Sequence, residues 1–434
     1  MSRLPWLVNK GLVKNNYLQK KFFSSLLLLF FLNLLVKPIW IFGIDRQVQN
    51  IAGTNDYGEY FAIFNLGIIL NFLLDIGLTN FLNQKLSSDK LSIDKTFNQI
   101  GLLKIFLGIL YAILLVSIAI ITGIHKISWL ILLGMNQFLF SFFLFLRAHI
   151  TALQLFHADA WLSVVDKLLM ILACGILIYF PQAFGRITIY LFLLIQMIAV
   201  MVSTAVAFLI ILYKEKGKLF IRARLDTAII RSALPFGLIV LVMSVHSRLD
   251  GFLLERVHAN GAFEAGIYSQ AYRLLDTSNM VGYLAAGFVL PFAAKAYNEG
   301  TMMKPIILKI RNLLLAFNGS SILFCFLFSK KIEQMLYHTD NTYGASIIGL
   351  TMPALVGYSL VQIYGSLLTA TGNIWSFVIA TIPFLLLNAF LNIIFIPRYG
   401  AMACCIIAII TQTTYGLVIM YIANKKIDFT LSSS

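Results

Sequence analysis

The sequence predicts an all-α polytopic membrane protein, with about twelve transmembrane helices in two six-helix lobes around a central cavity and both termini cytoplasmic. Three observations carry this. Hydrophobic residues make up 60% of the 434 and charged residues only 12%, whereas a soluble domain has about 45–50% and about 25%, so too little polar surface exists to cover a water-facing globule. Apolar runs long enough for a crossing, roughly 20 residues each, recur along the whole chain and leave no large soluble domain. Cationic residues collect on alternate loops. Secreted, nuclear and cytosolic readings fall away.

The first run, 22-43, follows a basic 21-residue leader. It is too long for the apolar core of a signal peptide and lacks a small-residue cleavage site, so it reads as a crossing. Runs near 59-82, 101-122, 128-148, 161-180 and 187-213 complete a first set of six. A second set lies near 232-254, 266-294, 305-329, 344-370, 374-396 and 400-423, with short polar or Gly/Pro turns between the runs. Domains follow: an N-lobe over 1-213, a basic linker over 214-231 (KEKGKLFIRARLDTAIIR), and a C-lobe over 232-434. In the eighth run, Ala285-Ala286-Gly287 before Pro291 reads as tight packing and a kink.

The formal charge is +15, from 33 Lys and Arg against 18 Asp and Glu. On a multi-span chain this excess is the bias of cytoplasmic loops toward Lys and Arg, and no nucleic-acid partner is needed to explain it. With the N-terminus inside, 22 of the 33 cations fall in cytoplasmic segments, seven in external loops and four within spans. Cys174, Cys325, Cys404 and Cys405 all sit in apolar runs without ligand spacing, so they read as small core hydrophobes, with neither disulfides nor zinc. There is no phosphate loop, no HExxH, no GxSxG and no acidic metal cluster, so the reading is a non-enzyme with no cofactor and no metal.

The halves look alike. PQAFG (181-185) resembles PRYG (397-400), and Gln196 corresponds to Gln412 at an offset of 216. YGEYFAIF (57-64) resembles AGIYSQAY (265-272), with Tyr60 opposite Tyr268 at an offset of 208. Six spans per copy is an even number, so both copies insert the same way up about a pseudo-twofold along the membrane normal.

With the charges toward the cytoplasmic ends of runs (Lys104, Arg147, Lys309, Arg311) counted with the loops, eight ionisable residues are singled out within the spans: Lys37, Asp75, Asp166, Lys167, Arg248, Asp250, Arg273 and Asp276. Each would cost roughly 2.5–3.5 kcal/mol facing lipid at a helix centre, so they should face the interior, water or one another. At about 1.5 Å per residue, Lys37, Arg248 and Arg273 fall in the outer half of the layer at similar heights. They are the candidate binding residues for a phosphate or pyrophosphate, because the guanidinium fork supplies paired hydrogen bonds as well as charge. The competing expectation is mutual neutralisation, with Arg273 and Asp276 one turn apart. Asp250, Asp276, His246 and Asp75 are candidates for coupling or gating. His246 and Asp250, spaced i, i+4, could share a proton. Asp75, in LLDIGLTNFL (73-82), lies near the cytoplasmic edge, with Gly77 and Thr79 allowing close helix approach. Asp166 and Lys167 are expected near the interface.

These residues resemble a known family. RLDGFLLERVHANGAFEAGIYSQAYRLLDTSNMVGYLAAGFVLPFAAKAY (248-297) is similar to the seventh-to-eighth span signature of polysaccharide exporters, the O-antigen-type oligosaccharide flippases of the multidrug/oligosaccharidyl-lipid/polysaccharide (MOP) superfamily. Asn50, Gly53 and 57-70 followed by LLDIGLTNFL agree, as does IPRYGAMACCIIAII (396-410). The resemblance implies two six-helix bundles flanking a cavity and movement of an undecaprenyl-pyrophosphate-linked oligosaccharide from inner to outer leaflet. It also implies a place in the inner (plasma) membrane, alongside a polysaccharide polymerase and glycosyltransferases. By the same resemblance Arg273, in YxxAYRL, matches the eighth-span arginine of lipid II flippases, and Arg248 matches the RxD of the oligosaccharide flippases. Lipid II flippases have fourteen spans and cations in the second, where this chain has Asp75; this favours a surface-polysaccharide repeat unit. The expected partners are that lipid-linked substrate and membrane lipids, with the chain a monomer. Alternatives are a drug/cation antiporter of the same superfamily, a twelve-span solute porter of the major-facilitator type, a membrane-embedded polymerase or glycosyltransferase, and a non-transporting scaffold.

Overall fold

A computed structural model describes residues 24–25, 27–79, 93–214 and 227–427, and among these every regular element is helical. Among the described residues eleven helices are long and apolar enough to cross a membrane. The last of them, Ile374–Lys426, runs 53 residues and folds back at Gly400. Thr381 meets Tyr415, Asn388 donates to Thr411 and Lys426 donates to Ser376, a pairing that converges on residue 400 as in an antiparallel hairpin. The eleven helices therefore make twelve crossings.

We name these α1 (Leu27–Ala52), α2 (Thr54–Asp75), α3 (Ile93–Ile121), α4 (Ile127–Ala152), α5 (Phe156–Tyr179), α6 (Ile189–Lys214), α7 (Thr227–Val257), α8 (Gly261–Glu299), α9 (Lys304–Leu327), α10 (Thr342–Ala370), α11 (374–399) and α12 (401–426). The end of the bundle bearing the α1–α2 and α7–α8 turns is termed distal, and the opposite end proximal.

Several boundaries differ from the sequence expectation, each for a local reason. The run 22-43 does not stop at Gly43, because α1 widens into a π-helical stretch, Ile39–Asp45, and continues to Ala52. Pro38 precedes that stretch; its missing N–H and its ring disturb the i→i−4 ladder, and wider winding absorbs the fault. Asp45, Gln49 and Asn50 thereby become helix residues. α5 begins five residues earlier than the run 161-180, which carries Asp166 and Lys167 away from the interface: Asp166 is buried. α2 unwinds at Ile76 and Gly77, both left-handed. Gly77 thus stands buried at a break, and the close helix approach beside it is that of Gly237 of α7, pressed on the Ile76 backbone. α8 runs unbroken through Pro291, and a Cβ on Gly287 would meet nothing within 4 Å, so the predicted tight packing there is absent. Of the linker 214-231, residues 215–226 lie outside the described residues, as does the basic leader, and α7 already starts at Thr227.

Within the N-lobe, α6 packs on α4 and α5; within the C-lobe, the α11–α12 hairpin packs on α7 and α10, and α8 on α10. α2 leaves its own lobe to lie along α7 and α8. Water-driven burial cannot hold helices together in lipid, so the seam depends on close backbone approach. A Cβ on Gly58 would fall 1.9 Å from the Ala262 carbonyl oxygen, and one on Gly266 would fall 2.1 Å from that of Thr54. Thr54 and Ala262, like Gly58 and Gly266, are 208 residues apart. The contact is reciprocal, as a twofold axis between α2 and α8 requires.

The hairpin turn is fixed the same way. Gly400 has φ 55° and ψ −136°, which side chains with a Cβ rarely adopt. Glu264 of α8 fills the space beside it, accepting from Ala401 N–H at 2.8 Å and from the Tyr343 hydroxyl at 2.7 Å. A carboxylate on the first amides of α12 is favoured by the helix dipole. The four cysteines are free and buried.

Candidate functional site

The distal part of the lobe junction is built around Arg273 of α8. Its Nε lies 2.8 Å from Asp45 Oδ2, and its Nη2 donates to the Tyr57 hydroxyl at 2.8 Å. Tyr57 in turn donates to Asp45 Oδ1 at 2.9 Å, closing a ring of three side chains from α1, α2 and α8. The guanidinium also faces the Phe64 ring, 5.7 Å from its centroid. Beside this ring Gln49 donates to the Gly266 carbonyl and to Ser269, and Asn50 donates to the Leu336 carbonyl. Each of these bonds crosses from the N-lobe to the C-lobe, so the distal end is latched.

Below the latch lies a cavity of about 300 Å³. Arg273, Lys167, Asp45, Asn136 and Gln196 contribute polar groups to its walls. Trp40, Tyr60 and Phe192 supply aromatic surface, with Trp40 stacked on Phe192 at 5.7 Å. Lys167 pairs with Asp166 at 3.2 Å and sits over the Trp40 ring. Two cations thus face one partly open space of polar and aromatic character.

A second cavity, about 150 Å³, opens in the C-lobe and shares Ile68 of α2 with the first as a common wall. Arg248 lines it, bound through Nη2 to both oxygens of Asp276 at 3.1 and 3.3 Å and lying over Tyr272. Its Nη1 atom is buried without a hydrogen-bond partner. Gln362, Gln412, His246 and Tyr283 line the same space.

The three expected binding residues therefore separate. Arg273 lies twelve residues past Gly261, about 18 Å from the distal end of α8, and Arg248 nine residues before Val257, about 14 Å from that of α7. They flank Ile68 on two adjoining cavities. Lys37 is fifteen residues before Ala52, about 22 Å from the distal end of the lengthened α1, and lines neither cavity. It stands half-buried where the charges of Lys167, Arg147 and Asp166 act on it.

The acid pairings also differ from expectation. Arg273 and Asp276 share a helix but turn to different partners, Asp45 and Arg248. Asp250 does not bond His246. Its two oxygens accept from the Tyr268 hydroxyl at 2.6 Å and the Gly251 N–H at 2.8 Å, while His246 sets its ring edge against Tyr415 at 5.3 Å. Asp75 sits at the α2 break, held by Thr79 and by Lys104 at 2.6 Å. Lys104, almost fully buried, also donates to the Leu74 carbonyl and to Ser141, so its charge answers both a carboxylate and the carbonyl end of α2. Among the described residues no three His, Cys, Asp or Glu side chains gather to hold a metal.

Asp45, Tyr57, Lys104 and Lys167 are the residues that sequence reasoning passed over or placed elsewhere. A helix period continued past Gly43 would have brought Asp45 and Gln49 inside. A buried cation near Asp75 was the implied partner of a carboxylate in an apolar run.

Comparison with known proteins agrees with this architecture. The family model described as polysaccharide biosynthesis protein matches residues 23–297. No curated protein sequence matches the chain. Among solved structures, the chain is similar to an outward-facing multidrug-resistance MATE transporter of the MOP superfamily, with a TM-score of 0.70, 16% identity, and 96% of this chain and 97% of that one covered. It is similar to an inward-facing MATE transporter of that superfamily at a TM-score of 0.67 and 15% identity, over 91% and 93% of the two chains. A MOP-superfamily transporter from Pyrococcus furiosus Vc1 (DSM3638), for which a reversed polarity of the binding pocket suggests a different function, gives 0.65 and 16%, over 96% of each chain. At such identities the likeness establishes the fold alone, but the sequence match spans well over half of the residues: the chain belongs to the polysaccharide biosynthesis protein family and is built on the transporter fold of the MOP superfamily.

Proposed function

We propose that the protein is a flippase, a non-enzymatic transporter in the plasma membrane. It carries an undecaprenyl-pyrophosphate-linked oligosaccharide, the repeat unit of a surface polysaccharide such as O-antigen, from the inner to the outer leaflet. The observation that carries the reading is the N-lobe cavity, where Arg273 and Lys167 face one space at the lobe junction. Its lining carries two cations, Arg273 and Lys167, against one acid, Asp45, with Asp166 paired to Lys167 behind the wall. A pyrophosphate entering there meets the Arg273 fork, displaces Asp45 from it, and gains charge-assisted bonds. The prenyl tail stays in lipid, because only the charged head lacks a path across hydrocarbon. Rocking of the lobes about the bound head then exposes it to the other side, where a polymerase or glycosyltransferase takes it up. A carrier of cationic drugs needs an acid free to meet its substrate, and the acid on this cavity wall, Asp45, is already held by Arg273 and Tyr57.

The test is a translocation assay in proteoliposomes with undecaprenyl-pyrophosphate-linked oligosaccharide. The intact protein should move it, Arg273→Ala should lower the rate at least a hundredfold at equal protein insertion, and Arg273→Lys should restore part of the rate because charge returns without the fork. Unchanged transport by Arg273→Ala, or none by the intact protein, would refute the assignment.

A further inference from the structure

The C-lobe cavity carries chemistry that an anion site does not need. It presents a single lining cation, Arg248, held by both carboxylate oxygens of Asp276, where the N-lobe cavity presents two. The remaining polar walls are uncharged amides and hydroxyls, notably Gln362, Gln412, Tyr358 and Tyr283, together with His246. His246 is 3% exposed and its Nε2 meets no partner, and Arg248 Nη1 is likewise unused. A buried polar atom left unpaired is costly, so a ligand able to bond it gains accordingly. Tyr283, in the interior of α8, is 57% exposed and contributes its ring to the wall of this cavity beside Gln362. Drug-sized ligands occupy about 300–1,000 Å³, so a cavity of about 150 Å³ suits a single ring. Aromatic faces with hydroxyl tips, amides and unfilled donors match the alternating apolar faces and hydroxyl edges of a pyranose.

We propose that this cavity is a subsite for one uncharged sugar ring of the transported head, stacked on Tyr283 and hydrogen-bonded by Gln412, His246 and the free Nη1 of Arg248. The inference rests on the flippase reading and extends it: phosphate on the N-lobe side of Ile68, sugar on the C-lobe side.

The experiment compares two ligands on the full-length protein in nanodiscs. One is sugar-free undecaprenyl pyrophosphate. The other is the lipid-linked oligosaccharide extracted from the source cells. Tyr283→Ala removes an exposed ring and Gln412→Leu keeps the side-chain volume, so both variants should fold, which a thermal melt of each will verify. Each variant should weaken oligosaccharide-lipid binding at least tenfold and leave sugar-free lipid binding unchanged, whereas Arg273→Ala should weaken both. Equal loss for both lipids, or no loss for either, in the Tyr283 and Gln412 variants overturns the sugar subsite and leaves the flippase reading standing. Failure of the intact protein to bind either lipid overturns the flippase reading itself.

Discussion

At the scale of single residues, the decisive group is Asp45. It holds Arg273 in a buried ion pair whose side chains are 3% and 17% exposed. Removing one partner of such a pair strands the other charge, at a cost of about 3–5 kcal/mol. On the flippase reading a phosphate supplies a new anion to the same fork, so the stranded charge is that of Asp45, which keeps only the Tyr57 hydroxyl bond and opposes the exchange. Asp45→Asn should therefore leave Arg273 seeking an anion: undecaprenyl pyrophosphate should bind about tenfold tighter, measured by titration in nanodiscs, and unchanged or weaker binding would rule out competition between Asp45 and substrate. How much of this site the sequence discloses follows from the same energetics. Arg248, Arg273 and Asp276 stand out because a charge inside an apolar run is too expensive to be accidental. Asp45 is hidden because DRQVQN after Gly43 reads as a polar loop, and only the π-helical winding of 39–45 turns it into a helix face. Lys104, four residues into the run 101-122, reads as belonging to the basic loop before it until the fold lays it on the Leu74 carbonyl. Lys37 is the reverse case: the lengthened helix sets it only about 4 Å below Arg273 in height, and it is its absence from both cavity walls that separates it from the arginines.

At the scale of elements, the twelve runs are legible because hydropathy and length are properties of the chain alone, and Gly400 marks a fold-back between two of them. Packing is not legible, because in lipid it depends on which small residues happen to face each other. Gly58 and Gly266 matter through a partner 208 residues away, while Gly287, in a tract that looks more suited to close packing, touches nothing. The short helix Ser329–Tyr337 on the distal surface is another element that only the fold explains. It is tied to α1 through Asn50 and to α8 through Tyr337, whose hydroxyl donates to the Gln270 carbonyl. Its Glu333 is buried, accepting from Thr339, and burial pushes that carboxyl above the ordinary carboxylate range. A carboxyl raised in the folded state stabilises while protonated, and that contribution is lost as pH rises through the folded-state value. Hydrogen exchange over 329–344 should accordingly quicken as pH rises, beyond the intrinsic chemical dependence, and Glu333→Gln should remove the excess. Equal pH dependence in both proteins would mean that the buried carboxyl does not govern the docking of this helix.

At the scale of the whole molecule, the two ends of the lobe junction are unequally joined. The distal end holds the Asp45–Tyr57–Arg273 ring, the Gln49 and Asn50 bonds and the reciprocal glycine contact, and Arg256 of α7 donates to the Thr122 carbonyl. At the proximal end, among the described residues, the close backbone approach is that of Gly237 to Ile76. Rocking must therefore break a polar latch at one end, and the residue at its centre, Arg273, is the one that faces the cavity. On the flippase reading, substrate arrival loosens the distal end: an anion that takes Arg273 from Asp45 removes the ion pair between α8 and α1 and leaves the Gln49 bonds to Gly266 and Ser269 to be broken in the rocking step. The consequence can be read without measuring transport. Asn50→Cys with Leu336→Cys places two half-buried thiols on opposite sides of the latch, while the four native cysteines are buried. A short cleavable bifunctional thiol reagent should bridge the pair efficiently in the unliganded protein, stop translocation, and release it on cleavage. Adding undecaprenyl pyrophosphate before the reagent should lower the bridging yield several-fold in the intact site and leave it unchanged when Arg273→Ala is also present. Bridging that is indifferent to the lipid in both proteins would mean that the latch opens independently of the cavity, and that Arg273 binds the head group without transmitting its arrival.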